Sequence, residues 1–300
     1  MEGPPFFIVG SARSGTTLLR LMLNAHAAVA VPPESRFVVE LYEGRDEVEV
    51  DDLLARLGRH RLFQNWSLDL DAVREQLPER GRAPFVECIE AAYRAYAKAR
   101  GKSRWGDKTP RYVEHIPLIA RLWPDARFVH MIRDGRDVAL SYGDLPFGPK
   151  TVARAARLWS DRVAAGRRAG NDLGTTRYTE VRYEELTTDI DAGARALCEF
   201  LDLEFDPGML DYTERARSDV LPRAARYNPH VTEEPIAQVR SWEGQMPAPH
   251  VRVFEWIAGN VLSEAGYPRR YPRAGIATKL LAVLGLAGLP VGRLPRSTNG

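Results

Sequence analysis

Residues 6–17 read FFIVGSARSGTT, a short apolar run followed by a loop with two glycines. An unbroken apolar run of this length is typical of a strand buried on both faces, as in a parallel sheet. Residues 16–25 follow with leucine and methionine side chains at helical spacing. The order of strand, glycine-containing loop and helix predicts an α/β domain built on a parallel sheet.

The loop itself has the composition of an anion-binding turn. Gly10 and Gly15 let the backbone approach a phosphate, and the free N–H groups and positive dipole of the next helix face the same point. The glycine spacing matches the P-loop pattern G-x-x-x-x-G-K-[ST], but Thr16 replaces the lysine, so Arg13 is the only cation of the loop. This favours an anion site, with a structural turn without ligand as the alternative.

A second informative block, residues 127–141, reads RFVHMIRDGRDVALS and predicts another buried strand followed by a helix. Arg133 stands where that strand ends, and Ser141 lies about two helical turns further on. Ligands of open α/β sheets bind outside the carboxyl ends of the strands, so we expect both side chains to reach one phosphate. Arg136 and Asp137 are interpreted as members of ordinary surface ion pairs.

The rest of the chain continues the alternation and predicts a third strand over residues 176–182. The fold class is therefore α/β, a P-loop-like three-layer fold with a central parallel sheet and helices on both faces. We expect one domain over residues 1–272, with residues 36–104 as a helical insertion above the carboxyl edge of the sheet, and a C-terminal tail over 273–300. Residues 222–235 are expected to form a loop. The predicted helices span residues 16–25, 51–57, 68–77, 84–100, 112–122, 135–142, 152–168 and 190–201.

Composition excludes two classes of protein. Hydrophobic residues make up 44% of the 300 residues, enough for a large core, so the chain is not disordered. A net charge of +2 argues against a general nucleic-acid binder. Lysine is scarce beside arginine, as in a GC-rich coding bias, so a retained lysine such as Lys108 is more informative than most arginines.

The two cysteines, Cys88 and Cys198, cannot form a disulfide framework or a four-thiolate zinc site, which indicates a reducing compartment. The N-terminus lacks the pattern of a secretory signal, so we expect a cytoplasmic protein. No two histidines have the i, i+4 spacing of a zinc helix, and no metal is expected. Residues 276–291 are the most apolar stretch; we expect a helix that packs on the body, with a membrane-surface or oligomer contact or a disordered tail as alternatives.

Together the two blocks resemble the sulfotransferases that use 3′-phosphoadenosine 5′-phosphosulfate (PAPS). The first block resembles their 5′-phosphosulfate loop, and the second resembles their 3′-phosphate strand and helix. Residues 183–186 (YEEL), 240–242 (RSW) and 265–268 (AGYP) resemble further family segments, so the resemblance covers roughly residues 5–272. Within the family, the chain is most similar to the branch that contains the tyrosylprotein sulfotransferases and many bacterial enzymes.

The resemblance implies roles for individual residues. Glu34 would be the catalytic base, and Lys108, in the sequence GDKTP, would contact the transferred group. Arg13 matches the loop arginine of the branch and would act in catalysis and in donor binding. Without the resemblance, Glu34 reads as a helix-capping or surface acid beside Arg36, and Lys108 as the partner of Asp107. The implied donor-binding residues are Arg13, Ser14, Gly15, Thr16, Thr17, Arg133, Ser141 and Tyr183.

The sequence departs from the family pattern at two positions, one near the first helix and one near the C-terminal motif. Ala27 stands where a proline commonly follows the histidine. Arg240 stands two residues before Trp242, where the family has a serine that acts in the transition state. Whether Ser241 takes the role of that serine is left open. His26 and His130 are interpreted as core or supporting residues.

The predicted function is transfer of a sulfuryl group from PAPS to a hydroxyl of a small molecule, glycan, lipid or tyrosyl group, without a metal. A base that removes the acceptor proton and cations that balance the leaving phosphate are what this chemistry needs. The alternatives are a P-loop kinase or nucleotidase, from which Thr16 departs, and a non-catalytic nucleotide-binding protein. A homodimer is left open.

The acceptor pocket is expected between the insertion and the loop near Tyr227. Aromatic residues of the insertion are read mainly as helix packing. An acidic run over residues 43–52 would repel acidic peptides, which favours a small-molecule, glycan or lipid acceptor in a bacterial cytosol.

Overall fold

The computed structural model describes residues 3–77, 81–143, 145–213 and 241–295. Its centre is a five-stranded sheet, parallel throughout, in the order β2-β5-β1-β6-β7. A separate antiparallel pair, β3 and β4, lies in the insertion. The strands are β1 (Phe6–Gly10), β2 (Val29–Ala30), β3 (Glu47–Glu49), β4 (Arg82–Pro84), β5 (Arg104–Lys108), β6 (Arg127–Ile132) and β7 (Tyr178–Arg182).

Helices occupy the connections between strands and also follow the last strand, which confirms the predicted α/β class with its central parallel sheet. Two 3₁₀ turns supplement them (Pro110–Glu114 and Pro207–Met209). The helices are α1 (Thr16–Ala25), α2 (Phe37–Glu40), α3 (Val50–Arg59), α4 (Arg61–Gln64), α5 (Leu70–Arg74), α6 (Phe85–Lys98), α7 (Ile116–Leu122), α8 (Gly135–Tyr142), α9 (Val152–Leu173), α10 (Tyr183–Thr188), α11 (Ile190–Leu201), α12 (Trp242–Gln245), α13 (Ala248–Glu264) and α14 (Ile276–Ala287).

Two strands of the central sheet, β2 and β5, were not predicted, and neither was the antiparallel pair in the insertion, which was expected to be helical. The sequence of β5, RWGDK, lacks an apolar run, yet all five residues are buried. Gly106 lets the strand lie close to its neighbour, because a Cβ there would fall 2.2 Å from the ring of Phe6. Burial of β5 therefore depends on the fit between strands and on partners for its polar side chains, which a local pattern does not reveal.

Two predicted helices differ from the observed ones, one in its length and the other because it is interrupted. The helix expected over 68–77 is limited to α5, and the one expected over 112–122 is split into a 3₁₀ turn and α7. Pro117 stands in the first turn of α7, where its missing N–H and fixed φ are tolerated and where a new helix can begin. The helices predicted over 16–25, 135–142 and 190–201 are observed with those bounds.

Alternate residues of β1 enter different cores, which shows that the sheet is covered on both faces. Phe7 and Val9 belong to the core shared with the insertion and α7, whereas Phe6 and Ile8 belong to the core shared with α1 and α11. This period-two division follows from the geometry of a strand. A third core forms between α8, α9 and α13.

The insertion between β2 and β5 is held by large aromatic side chains. Tyr93 stacks on Trp105 with ring centroids 4.2 Å apart, and Trp66 donates from Nε1 to the carbonyl of Pro33 at 2.9 Å. Most of the insertion's aromatic residues are buried in this core, as the packing interpretation expected.

Residues 276–287 form helix α14 against α9 and α13, which agrees with the expected helix that packs on the body. Thr151 Oγ1 donates to the carbonyl of Gly285 at 3.1 Å, and the Val152 N–H donates to the carbonyl of Gly292 at 2.9 Å. These bonds fix the segment to the start of α9. Among the described helices, none combines the length and the apolar character needed to cross a bilayer.

Candidate active site

The carboxyl ends of four neighbouring strands meet at one edge of the sheet. Lys108 is the last residue of β5, and Gly10 is the last residue of β1 beside it. Arg133 directly follows β6, and Tyr183 directly follows β7. Three segments that were predicted separately, the loop, the strand-end arginine and the rare lysine, therefore come together through the sheet order.

The loop after β1 depends on two glycines with positive φ. Gly10 has φ 152°, and a Cβ there would lie 2.5 Å from the carbonyl oxygen of Met131. Gly15 has φ 94°, and a Cβ there would lie 2.3 Å from the ring of Tyr183. Gly15 precedes α1 and brings no side chain over the first N–H groups of that helix, so those donors face the loop.

Polar side chains of the loop are in place beside these N–H groups. Ser14 is buried, and its Oγ has no hydrogen-bond partner among the described residues. Arg13 has φ 75° and donates from Nε to Ser141 Oγ at 3.4 Å. The contact joins the two predicted phosphate-binding segments, which are far apart in the sequence.

Arg133 and Tyr183 form the next part of the site. The guanidinium of Arg133 lies over the Tyr183 ring, 4.4 Å from its centroid. Within the described chain, Arg133 Nε has no hydrogen-bond partner. Tyr183 thus lies against both Arg133 and Gly15, a position that the sequence did not specify.

Glu34 and Lys108, two of the three residues assigned to catalysis, are in direct contact. Lys108 Nζ donates to Glu34 Oε1 at 2.8 Å. The Lys108 side chain is 7% exposed, whereas that of Glu34 is 40% exposed. The ammonium is therefore held inside the protein, and the carboxylate stays accessible to a molecule that approaches from solvent.

The segment that carries Glu34 is tied to the end of β5. The Ser35 N–H donates to Thr109 Oγ1 at 3.1 Å, and Ser35 Oγ lies 2.8 Å from Tyr112 Oη. Both hydroxyl partners are buried. These bonds hold the backbone on either side of the Glu34–Lys108 contact.

Asp107 lies under this contact and was named in the sequence only as an alternative partner of Lys108. It is fully buried, and its Oδ2 accepts from Tyr93 Oη at 2.8 Å. Burial raises the pKa of Asp107 to about 6, although the hydroxyls of Ser35 and Tyr93 favour the ionised form. Neighbouring strand residues point to opposite faces, which explains why Lys108 bonds to Glu34 instead.

The expectation of surface ion pairs for Arg136 and Asp137 was wrong. Arg136 is 1% exposed and bonds to Asp134 Oδ2 and to Glu255 Oε1, each at 2.7 Å. Asp137 Oδ1 accepts from the N–H of Trp242 at 2.7 Å, and burial raises the pKa of Asp137 to about 7. The helix α8 packs under α13, which removes these groups from water.

The supporting motifs interlock around the same helix. Glu184 accepts from the N–H of Asp134 at 2.9 Å and from Tyr267 Oη at 2.8 Å. The guanidinium of Arg182 lies over the Tyr267 ring, 4.6 Å from its centroid. Residues 183–186 and 265–268 are thus joined behind Arg133, where they support the strand end.

The remaining predicted features lie away from the strand-end cluster or outside the described residues. Residues 222–235, Tyr227 and Arg240 lie outside the described residues; Ser241 precedes α12 and makes no side-chain capping bond to it. His26 and His130 are buried, in agreement with a supporting role, and burial lowers the pKa of His130 to about 4. In the described ranges, no cluster of three or more potential metal ligands occurs.

Residues 4–207 match the model of a sulfotransferase family. A protein-tyrosine sulfotransferase of Drosophila melanogaster is 25% identical over 282 residues, which cover 89% of this chain and 52% of that protein. The chain therefore spans about half the length of that relative.

Two solved structures share the fold. The sulfotransferase domain from the olefin synthase of Synechococcus PCC 7002 aligns with a TM-score of 0.63 at 22% identity, covering 89% of this chain and 97% of that domain. The mouse sulfotransferase SULT7A1 complexed with PAP aligns with a TM-score of 0.51 at 14% identity, covering 87% of this chain and 85% of that one.

Proposed function

Because the chain belongs to the sulfotransferase family, we propose that it transfers a sulfuryl group from PAPS to a hydroxyl of an acceptor. The observation that carries the proposal is the 2.8 Å contact between Lys108 Nζ and Glu34 Oε1, at the edge where the glycine-containing loop also begins. It brings an accessible carboxylate and a buried cation to one place, which is the pair that such a transfer needs.

The residues of the loop fit the 5′ end of the donor. Gly10 and Gly15 would let the backbone approach an anion closely, and the N–H groups at the start of α1 would donate to it. Ser14 Oγ is a buried hydroxyl without a partner in the described chain, and Thr16 and Thr17 add hydroxyls in the first turn. Arg13 adds the positive charge that the missing P-loop lysine would have supplied.

The second phosphate of the donor is assigned to Arg133 and Ser141. Arg133 Nε has no partner among the described atoms, and Ser141 Oγ lies 3.4 Å from Arg13 Nε, so the two phosphate regions adjoin. Tyr183 supports the Arg133 guanidinium from below. Arginine suits this position because its planar group binds phosphate oxygens in pairs.

Glu34 and Lys108 are assigned to the transfer itself. PAPS supplies an activated sulfuryl group when it is bound. Glu34 takes the proton of the acceptor hydroxyl as the acceptor oxygen forms its bond to sulfur, and the bond from sulfur to the 5′-phosphate oxygen breaks with its electron pair on the phosphate. Lys108 orients Glu34 and faces the charge of the transferred group, while Arg13 and the loop amides balance the charge on the leaving phosphate.

The acceptor class is proposed as a hydroxyl compound, with small molecules, glycans, lipids and tyrosyl groups all within it. The acidic run of the insertion was expected to repel acidic peptides. Several of its acids are neutralised, since Glu43 pairs with Arg56 at 2.8 Å and Asp46 with Arg121 at 3.4 Å. The electrostatic argument against a peptide acceptor is therefore weaker than the sequence suggested.

Location and assembly stay predictions. Both cysteines are free and buried, which is compatible with the bacterial cytosol that we propose. We likewise propose that transfer needs no metal, and the choice between a monomer and a homodimer stays open.

Calorimetry with 3′-phosphoadenosine 5′-phosphate (PAP) and with ATP–Mg²⁺ tests the donor assignment directly. We expect tight binding of PAP and weak or no binding of ATP–Mg²⁺. Binding of ATP–Mg²⁺ alone would favour a kinase or nucleotidase and overturn the proposal. Incubation with sulfur-labelled PAPS and 4-nitrophenol, a tyrosyl peptide or an alkyl alcohol then tests transfer, and binding of PAP without any transfer would favour a non-catalytic nucleotide-binding protein.

A further inference from the structure

Helix α14 exposes large apolar side chains on the face that an ordinary surface helix would make polar. The residues that it buries fully against the body are small (Thr278, Ala282 and Gly285), and Leu281 and Leu286 pack there partly buried. Three large apolar side chains are instead exposed: Ile276 at 87%, Leu280 at 57% and Val283 at 55%. A helix that only covered a core would place such side chains inward, because burial of apolar surface stabilises the fold.

The exposed side chains form one stripe. Positions 276, 280 and 283 follow the i, i+4, i+7 spacing of a single helix face. Leu289, just after the helix, is also well exposed. Of the six large apolar side chains that are strongly exposed in the described residues, four lie between 276 and 289, so the stripe is a local apolar patch.

Positive charge surrounds the patch. Residues 265–300 contain six arginines and lysines and no aspartate or glutamate. Arg273, Lys279 and Arg293 are exposed and stand before, within and after the apolar stripe. A like-charged copy of the same patch would be repelled at a two-fold interface, whereas an anionic surface would be attracted.

We propose that α14 binds the surface of an anionic lipid bilayer. The apolar stripe would enter the boundary between headgroups and acyl chains, and Arg273, Lys279 and Arg293 would contact anionic headgroups. At about 1.5 Å per residue, the helix is about 18 Å long, shorter than the roughly 30 Å hydrocarbon core, so it lies in the interface. The bond from Thr151 to Gly285 holds the helix on α9, and the bond from Val152 to Gly292 holds the residues after it, so the whole body would dock with the helix.

Flotation of the full chain with vesicles tests this contact. We expect binding to phosphatidylcholine vesicles that contain phosphatidylglycerol, weaker binding to phosphatidylcholine alone, and loss of binding as salt is raised, because salt screens the attraction to the charged surface. Absence of binding to the anionic vesicles at low salt would overturn the proposal.

A triple variant, I276S/L280S/V283S, tests the apolar stripe. All three side chains are exposed, so the melting temperature and PAP binding should stay unchanged. Vesicle binding should fall by about tenfold or more, since each side chain contributes apolar area to the interface. Unchanged vesicle binding by this variant would contradict the assignment to α14.

The charge contribution is tested by R273E/K279E with a matched control, R82E/R195E. The control reverses two exposed arginines on β4 and α11, so the net charge changes equally. Only the first variant should lose binding to anionic vesicles. Equal loss of vesicle binding in both charge variants would indicate a general charge effect. A native chain that forms a dimer and does not bind vesicles, together with a triple variant that is monomeric, would assign the patch to a second copy. Either result overturns the proposal.

Discussion

Two groups of charges at the carboxyl edge of the sheet differ in their access to water. In the closed network, Arg136 bonds to Asp134 and Glu255, and the three side chains are 1%, 9% and 0% exposed. In the open pair, Lys108 is almost buried while Glu34 is 40% exposed. A charge that is sealed on all sides can only support the fold, whereas a pair with one accessible member can exchange its partner for a substrate.

Removal of the cation from the closed network should have the largest effect. The substitution Arg136→Met leaves Asp134 and Glu255 without their shared guanidinium, so we expect the free energy of unfolding to fall by about 3–5 kcal/mol. Denaturant unfolding measures it, with Arg195→Met as the exposed control that should change little. A loss below about 1 kcal/mol for Arg136→Met would show that the network is not sealed as described.

Removal of the base from the open pair should affect the rate and not the fold. Glu34→Gln keeps an oxygen for Lys108 but cannot accept the acceptor proton at neutral pH. We expect the transfer rate constant to fall by about 10²–10⁴-fold, with the PAP dissociation constant and melting temperature unchanged. Glu43→Gln, an exposed acid of the insertion, is the control that should keep full activity. Full transfer activity in Glu34→Gln would remove Glu34 from catalysis.

Gly15 belongs to the donor-binding loop and lies against Tyr183, the residue that supports Arg133. Gly15→Ala adds a Cβ that would be 2.3 Å from the Tyr183 ring at a φ of 94°, so we expect a loss of about 1–3 kcal/mol in stability and weaker PAP binding. Gly44→Ala has a similar positive φ of 78° but nothing within 4 Å of the added Cβ. It therefore isolates the backbone strain, and equal PAP affinities for the two variants would exclude the contact with Tyr183 as the cause.

The most gradual effect, spread over several pH units, concerns the pH dependence of stability beside the closed network. Burial raises the pKa of Asp137 to about 7 in the folded protein, above its unfolded value, so the folded state holds an extra proton between about pH 4 and pH 7. The stability contributed by this proton is present at acidic pH and is lost as pH rises toward 7.

Asp137→Asn should remove that part of the slope. The amide oxygen can still accept from the N–H of Trp242, and the slope of unfolding free energy against pH should become less negative by up to about 1.4 kcal/mol per pH unit over this range. Denaturant unfolding at several pH values measures the slope. Identical slopes in the two proteins would mean that Asp137 is ionised throughout.

The strongly patterned segments were predictable from the sequence. The apolar runs of β1 and β6, the helical spacing of α1 and α11, and the two-glycine loop carry local signals that tertiary contacts did not override. β5 was missed because it is buried with a charged end, and α5 and α7 were overextended because helical spacing alone does not fix where a helix ends.

The candidate site divides in the same way. Arg13, Arg133 and Lys108 could be proposed from their motifs and from a family resemblance. Their meeting at one edge, the contact between Glu34 and Lys108, and the place of Tyr183 between Gly15 and Arg133 depend on the strand order β5-β1-β6-β7.

By itself, the sequence determined the α/β class, the anion-binding loop and the residue types available for transfer chemistry. Only the tertiary structure decided which charges are sealed and which are accessible. Arg136 and Lys108 are both buried cations near strand ends, and the sequence does not show how accessible the partner of each one is. That difference follows from long-range packing, which places the buried Glu255 of α13 beside Arg136 and the 40% exposed Glu34 beside Lys108.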